Sequence, residues 1–204
     1  FRPLLVSWSQ SSDLATLTGA DQVAAPPPLQ GESLYCGLYL NELLVRFLHR
    51  GDPHPELFER YGQTLGRLAE GTGLQRALRL FEKHLLDATG FGLTLDREPG
   101  ANTVLQEDAW YEYRPESGPV RVSGSARERS GVVSGRTLLA LQAEELSDED
   151  LPALRHLMRR VLRHHLGDRP LASEGLYAAR RRRGARGEEP QTDPSSKDTP
   201  PKTP

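Results

Sequence analysis

Apolar and polar positions recur along this chain with two periods, and the changes between them divide it into elements. Over residues 34–48, LYCGLYLNELLVRFL, apolar side chains occupy most sides of a helical wheel. The polar ones that follow the same turn, Glu42, Arg46, His49 and Arg50, fall on one strip at spacings of three and four. Such a helix is expected to lie among others with a narrow stripe exposed, as the hub of a helical domain. Gly51 and Pro53 stop it, since glycine accepts a left-handed cap and proline cannot continue the ladder.

A second helix is expected over 55–70, where Leu57, Phe58, Tyr61, Leu65 and Leu68 repeat before Gly71. A third follows over 74–86, with Leu78, Phe81, Leu85 and Leu86 ahead of Gly90. Short links make these an antiparallel bundle. Gly62 and Gly66 stand inside the second helix, where each costs roughly 1 kcal/mol unless packing returns it, so they are expected to admit a neighbouring helix closely.

The period falls to two elsewhere. FRPLLVSW at 1–8 and LATLT at 14–18 read as strands of a hairpin. Two strands bury no sheet face alone, so they either pack on the helices or end a small barrel whose earlier strands are absent. AAPPP at 24–28 is a stiff connector and a domain boundary. Residues 91–133 read as an irregular insertion holding a hairpin, with Glu116 to Gly118 in its turn. Its Trp110, Tyr111 and Tyr113 are expected to pin it to the bundle rather than stack on bases, because Glu107, Asp108, Glu112 and Glu116 beside them repel phosphates. A short helix at 137–146 precedes the pattern S-x-x-D at 147–150, in which the serine oxygen would take an orphan backbone donor at the start of a last helix. That helix runs to Leu166 before Gly167.

Charge sharpens the picture there. Arg155, Arg159 and Arg163 form a ladder at spacing four opposite an apolar face, with His156 and Arg160 beside it. Arginine suits phosphate because its planar fork donates paired hydrogen bonds and stays charged; a solvated helix face is the other reading of the ladder. The net charge of −2 conceals 14 basic against 22 acidic residues over 1–150 and 12 against 6 over 151–204. The body repels polyanions and the end attracts them. RRRR at 180–183 adds to that end, although such runs serve RNA, anionic lipid and acidic proteins equally, and 184–204 lack core-forming residues.

Other chemistry is poorly supplied. Cys36 is the single cysteine, which excludes an internal disulfide or a cysteine zinc site and reads as an inert core thiol. His49 and His54 flank a turn, and the adjacent His164 and His165 diverge on a helix, so buried or capping roles are expected in place of metal ligation. No G-x-S-x-G, H-E-x-x-H or P-loop occurs. Nor does any run reach the roughly 18 to 20 apolar residues that cross a bilayer, which points to a cytoplasmic protein without membrane partners. The start at Phe1 within an apolar run, with Met158 the one methionine, is expected of an N-terminally incomplete sequence, though processing gives the same start.

FRPLLVSW, LATLTGAD, LQGESLYCGLYLNELLVRFLHRGDPHPELFERYGQTL, LRLFEKHLLDATGFGLTLD and LMRRVLRHHLGDRPLASEGL together resemble the RecO family of bacterial DNA repair and recombination proteins, from Phe1 to about Leu176. The resemblance implies a mainly α protein: the last strands of an oligonucleotide-binding (OB) β-barrel at 1–24, then a helical C-terminal domain at 25–178 with a small β insertion at about 91–133. A disordered tail, basic and then polar, would follow at 179–204. It implies no catalysis and no cofactor. It implies instead binding of single- and double-stranded DNA, annealing of complementary strands, and action with RecR to help RecA replace single-strand-binding protein at the bacterial nucleoid. The acidic C-terminal tail of that protein would be gripped on the helical domain. Many members hold zinc with four cysteines after the LD sequence; here LDREPGAN carries Glu98 where a cysteine is expected, so no metal is expected. Contacts to DNA or partners are expected of Arg2, Arg155, Arg159, Arg160, Arg163, Arg169, Arg180, Arg181, Arg182 and Arg183, with an arginine-rimmed apolar pocket for the acidic tail. The competing readings are a helical adaptor that docks acidic proteins without touching DNA, and a generic RNA-binding tail on an unrelated bundle.

Overall fold

The structure is a computed structural model that describes residues 1–11, 14–100, 103–124, 129, 131–167, 169–173 and 175–176. An antiparallel ribbon of β1 (Leu4–Gln10) and β2 (Ala15–Gln22) leads into α1 (Gly31–Phe47), α2 (Pro55–Ala69) and α3 (Leu74–Ala88). A three-stranded antiparallel sheet follows, of β3 (Trp110–Arg114), β4 (Gly118–Val122) and β5 (Val132–Ser134) in the order β4-β3-β5. The strand β5 runs straight into α4 (Gly135–Ala143), and α5 (Leu151–Leu166) closes the domain. Five helices and small sheets among the described residues make the mainly helical domain expected from the pattern. None of these helices is long and apolar enough to cross a membrane.

The centre of the bundle is α3, and here the structure departs from the expectation that α1 is the hub. α3 packs against α1, α2 and α5. It buries Leu78, Phe81, Leu85 and Leu86, and with them Arg79, Glu82 and Lys83. These charges are paired, though not every polar atom is met: Arg79 Nη2 donates to Glu82 Oε1 at 2.6 Å, Tyr39 Oη of α1 donates to the same oxygen at 2.7 Å, and Lys83 Nζ donates to Glu144 Oε1 at 2.9 Å, while Arg79 Nε finds no acceptor among the described residues. α1 buries one side only, through Cys36, Leu40, Leu43 and Phe47. Its Leu34, Leu38 and Val45 reach solvent, Val45 with 83% of its surface exposed.

Gly62 and Gly66 also behave otherwise than expected. A Cβ built on either meets nothing within 4 Å, so no helix approaches them. The short approach in α1 is at Gly37, against which Phe1 and Leu29 lie, and these two side chains seat the start of the chain on the core. Beyond Phe1 the ribbon is exposed on both faces, with Leu5 at 64% and Trp8 at 62%, and its register shifts by a bulge between Ser7 and Trp8. The strands therefore do not bury a face on the helices, one of the two arrangements open to them.

Two of the three aromatics hold the insertion as expected, while Trp110 is only partly buried and lies outside the core cluster. Tyr111 and Tyr113 are buried, and Tyr111 Oη accepts from the Gln106 N–H at 2.9 Å. Burial pushes the Tyr113 hydroxyl up to about 12. The β3–β4 turn falls at Glu116 to Gly118, where Gly118 takes a positive φ of 84°. At the start of α5 the polarity of the expected cap is reversed. The Asp150 carboxylate is the acceptor, taking the Ser147 N–H at 2.9 Å, the Ser147 hydroxyl at 2.6 Å and the Thr137 hydroxyl of α4 at 2.7 Å. This knot joins α4 to α5.

Candidate partner-binding pocket and basic face

The sequence divides α5 cleanly. Leu154, Leu157, Met158, Val161 and Leu162 are buried, while Arg155, His156, Arg159 and Arg163 stand on the exposed side. Gly167 ends the helix with a positive φ of 69°, its N–H still bonded to the Arg163 carbonyl at 3.1 Å. The chain then turns back along α1. Arg46 Nη1 donates to the Arg169 carbonyl at 3.3 Å and Nη2 to the Pro170 carbonyl at 3.0 Å. One helical turn away, Glu42 accepts the N–H groups of Ala172 and Ser173, each at 2.9 Å, and the Ser173 hydroxyl at 2.7 Å. Burial raises the Glu42 carboxyl, but these donors and the Arg46 guanidinium outweigh it and hold the carboxyl below its ordinary range. Glu42 and Arg46, the two members of the polar strip that fall within α1, are thus occupied by the returning segment, while His49 and Arg50 lie past the end of the helix.

The returning segment closes a cavity of about 300 Å³ between α1 and the end of α5. Leu162, Leu166, Leu171, Pro170 and the Tyr39 ring supply apolar lining, and Arg159, Arg163 and Arg169 supply the charge. Tyr39 is fixed from behind by its bond to the buried Glu82. An apolar hollow of this size with guanidinium groups beside it suits one large apolar side chain carrying or adjoining a carboxylate. The three arginines also lie against the end of α5, where the helix dipole is negative and partly offsets their charge.

Of the expected site residues, the structure brings together Arg159, Arg163 and Arg169. Arg155 is exposed one turn earlier on the same face but does not line the cavity. Arg160 is turned elsewhere: its guanidinium lies over Gly131, beside β5. Arg2 is exposed at the foot of the ribbon, and Arg180 to Arg183 lie outside the described residues. Tyr39, Glu42 and Arg46 were not foreseen as parts of a site, and only their shared helical face with the apolar residues of α1 could have suggested it.

The remaining candidates have structural surroundings. His165 stacks on Phe91 at 4.2 Å between ring centroids, and Phe91 meets Phe47 edge-on. Burial, and then the neighbouring His164, lower the His165 pKa, against a weaker pull from Glu116. His164 Nε2 stands 3.3 Å from Glu116 of the β3–β4 turn. Burial chiefly, and Glu32 after it, push the Cys36 thiol up to about 11, which keeps it protonated and inert. Among the described residues no group of three or more His, Cys, Asp or Glu side chains is placed to hold a metal ion.

Comparison with known proteins settles the family. The family model described as "Recombination protein O C terminal" matches residues 28–174, which take in the whole helical domain and the pocket. The chain belongs to the RecO family. It is 44% identical over 185 residues to the DNA repair protein RecO of Nitrosococcus oceani, covering 90% of this chain and 75% of that one. It is 47% identical to the DNA repair protein RecO of Alkalilimnicola ehrlichii, over 87% of this chain and 70% of the relative. With the RecO of Coxiella burnetii it shares 44% identity over 86% and 75% of the two chains. These RecO relatives support a role in DNA repair, as the resemblance implied.

Proposed function

We propose that this RecO-family chain is a recombination mediator. In this reading it binds single- and double-stranded DNA by neutralising phosphates, anneals complementary strands and, with RecR, helps RecA replace single-strand-binding protein, in the cytoplasm at the nucleoid. Its pocket takes the acidic C-terminal tail of the single-strand-binding protein. The observation that carries the reading is the meeting of Arg159, Arg163 and Arg169 around a hollow floored by Leu162, Leu166 and Leu171. A tail that is acidic and ends in an apolar residue needs cation and apolar surface within one side chain's reach, and few other ligands need both. The ribbon β1–β2 is exposed on both faces, which is compatible with its pairing and packing as part of an OB barrel. Nothing in this reading asks the chain to make or break a covalent bond.

Two measurements test it. Mixing labelled complementary strands with the protein, the barrel restored, should accelerate annealing; no acceleration would count against DNA binding as its task. A labelled peptide of aspartates ending in phenylalanine should bind the wild-type chain, and R159A/R163A should lose most of that binding. The adaptor reading, in which the basic end docks acidic proteins and DNA does not bind, draws on the same excess of basic residues over 151–204. Salt separates the two, because affinity that falls steeply with added salt reports phosphate contacts, while negligible DNA binding at low salt supports the adaptor.

A further inference from the structure

The pocket has a wall that is not part of the bundle, and what holds that wall is specific. Leu171 is the one apolar anchor of residues 169–173, buried in the core and lining the cavity at once. On its N-terminal side Arg46 takes two carbonyls, those of Arg169 and Pro170. On its C-terminal side Glu42 takes two N–H groups, those of Ala172 and Ser173, and the Ser173 hydroxyl. A cation on α1 therefore meets the acceptors of the segment and an anion meets its donors. The two side chains are themselves joined, Arg46 Nη2 to Glu42 Oε1 at 3.1 Å. Neither Glu42 nor Arg46 lines the cavity, so neither is placed to touch what binds there.

We propose that Glu42 and Arg46 are positioning residues of the pocket: they clamp residues 169–173 against α1, and that clamp sets Arg169, Pro170 and Leu171 where an acidic ligand with an apolar end meets them. This rests on the pocket reading given above. A site completed by a docked segment has a consequence that a site cut into a rigid bundle lacks. The ligand binds the docked state alone, so ligand and clamp stabilise each other reciprocally. Releasing the clamp lowers affinity without removing any group that contacts the ligand, and filling the pocket tightens the clamp.

The experiment uses the full chain and the aspartate–phenylalanine peptide, with amide hydrogen exchange at Ala172 and Ser173 as a second readout. Glu42→Gln keeps the shape of the side chain but turns an amide NH₂ toward donors, and should weaken the peptide about tenfold while speeding exchange at both amides. Arg46→Ala, which leaves Glu42 in place, should weaken it by a smaller factor, and it serves alone should E42Q not fold. In the E42Q background Arg169→Ala should cost little further affinity, because Arg169 is already misplaced; its full loss in that background overturns the proposal. In the wild type, saturating peptide should slow exchange at Ala172 and Ser173, an effect that a purely structural clamp would not show. E42Q that binds the peptide as tightly as wild type while its two amides exchange freely overturns the positioning role but leaves the pocket reading standing. A wild type that does not bind the peptide, with both amides protected, overturns the pocket reading and the positioning role with it.

Discussion

Gly62 and Gly66 show how a residue's sequence neighbourhood can mislead about its purpose. Glycine four apart in a helix suggests close packing, yet both positions face open space and neither has a positive φ. The helix therefore carries their conformational cost with no packing return in this chain. Gly62→Ala and Gly66→Ala should each stabilise the fold by up to about 1 kcal/mol, read as a shift of the urea midpoint at constant slope. Asp150 is the opposite case, a carboxylate held in place by three hydrogen bonds at the α4–α5 junction. Burial raises its carboxyl, but the hydroxyls of Ser147 and Thr137, the Ser147 N–H and the charge of Arg136 prevail and hold it below the usual range. A carboxyl depressed in the folded state adds stability that is complete above its unfolded pKa and vanishes as pH falls through the folded value. Asp150→Asn should cost about 1–3 kcal/mol at neutral pH, and the gap to wild type should close as urea titrations are carried down through and below the ordinary aspartate range.

At the scale of elements, the ends of α2, α3 and α5 were legible, whereas α1 stops at Phe47 ahead of Gly51, α4 spans Gly135–Ala143 in place of 137–146, and the centre was not legible. Pro55 and Gly71 bracket α2, and Gly90 and Gly167 follow α3 and α5, because backbone preferences are local properties. The β3–β4 turn was legible for the same reason. The strand β5 was not, since three residues give no period. The identity of the buried helix depends instead on pairings across the bundle. α1 carries more apolar residues around its wheel, but α3 hides Arg79, Glu82 and Lys83, which in sequence resemble a solvated face. Glu82 is fully buried beneath Tyr39, so its pairing with Arg79 should be costly to break from one side only. Glu82→Ala should destabilise the fold by about 3–5 kcal/mol, whereas the double change R79M/E82L should recover most of that loss, as measured by chemical denaturation. A recovery would show that the pair is tolerated at the centre rather than required there. The candidate site divides in the same way. Arg159 and Arg163 were visible as a ladder, while Glu42 and Arg46 acquire their role only when a segment more than a hundred residues away returns to them.

Across the whole molecule, cationic groups are gathered at the end of the chain, and they fall into two sets with different surroundings. Arg159, Arg163 and Arg169 share a hollow with Leu162, Leu166 and Leu171. Arg180 to Arg183 form an unbroken run beyond the domain, following an acidic body that repels phosphate. Phosphate contacts release counterions and leave a signature in the salt dependence of binding, whereas a single acidic tail seated in a pocket releases few. Neutralising the run, as R180Q/R181Q/R182Q/R183Q, should therefore reduce the slope of log affinity against log salt for single-stranded DNA by up to about 3, at about 0.7 for each phosphate no longer neutralised, and leave peptide affinity unchanged. R159A/R163A should do the reverse, removing most of the peptide binding with a much smaller change in the DNA slope. If both variants altered DNA and peptide binding in parallel, the two sets would be one surface, and the division of labour between a pocket for protein and a run for nucleic acid would be wrong.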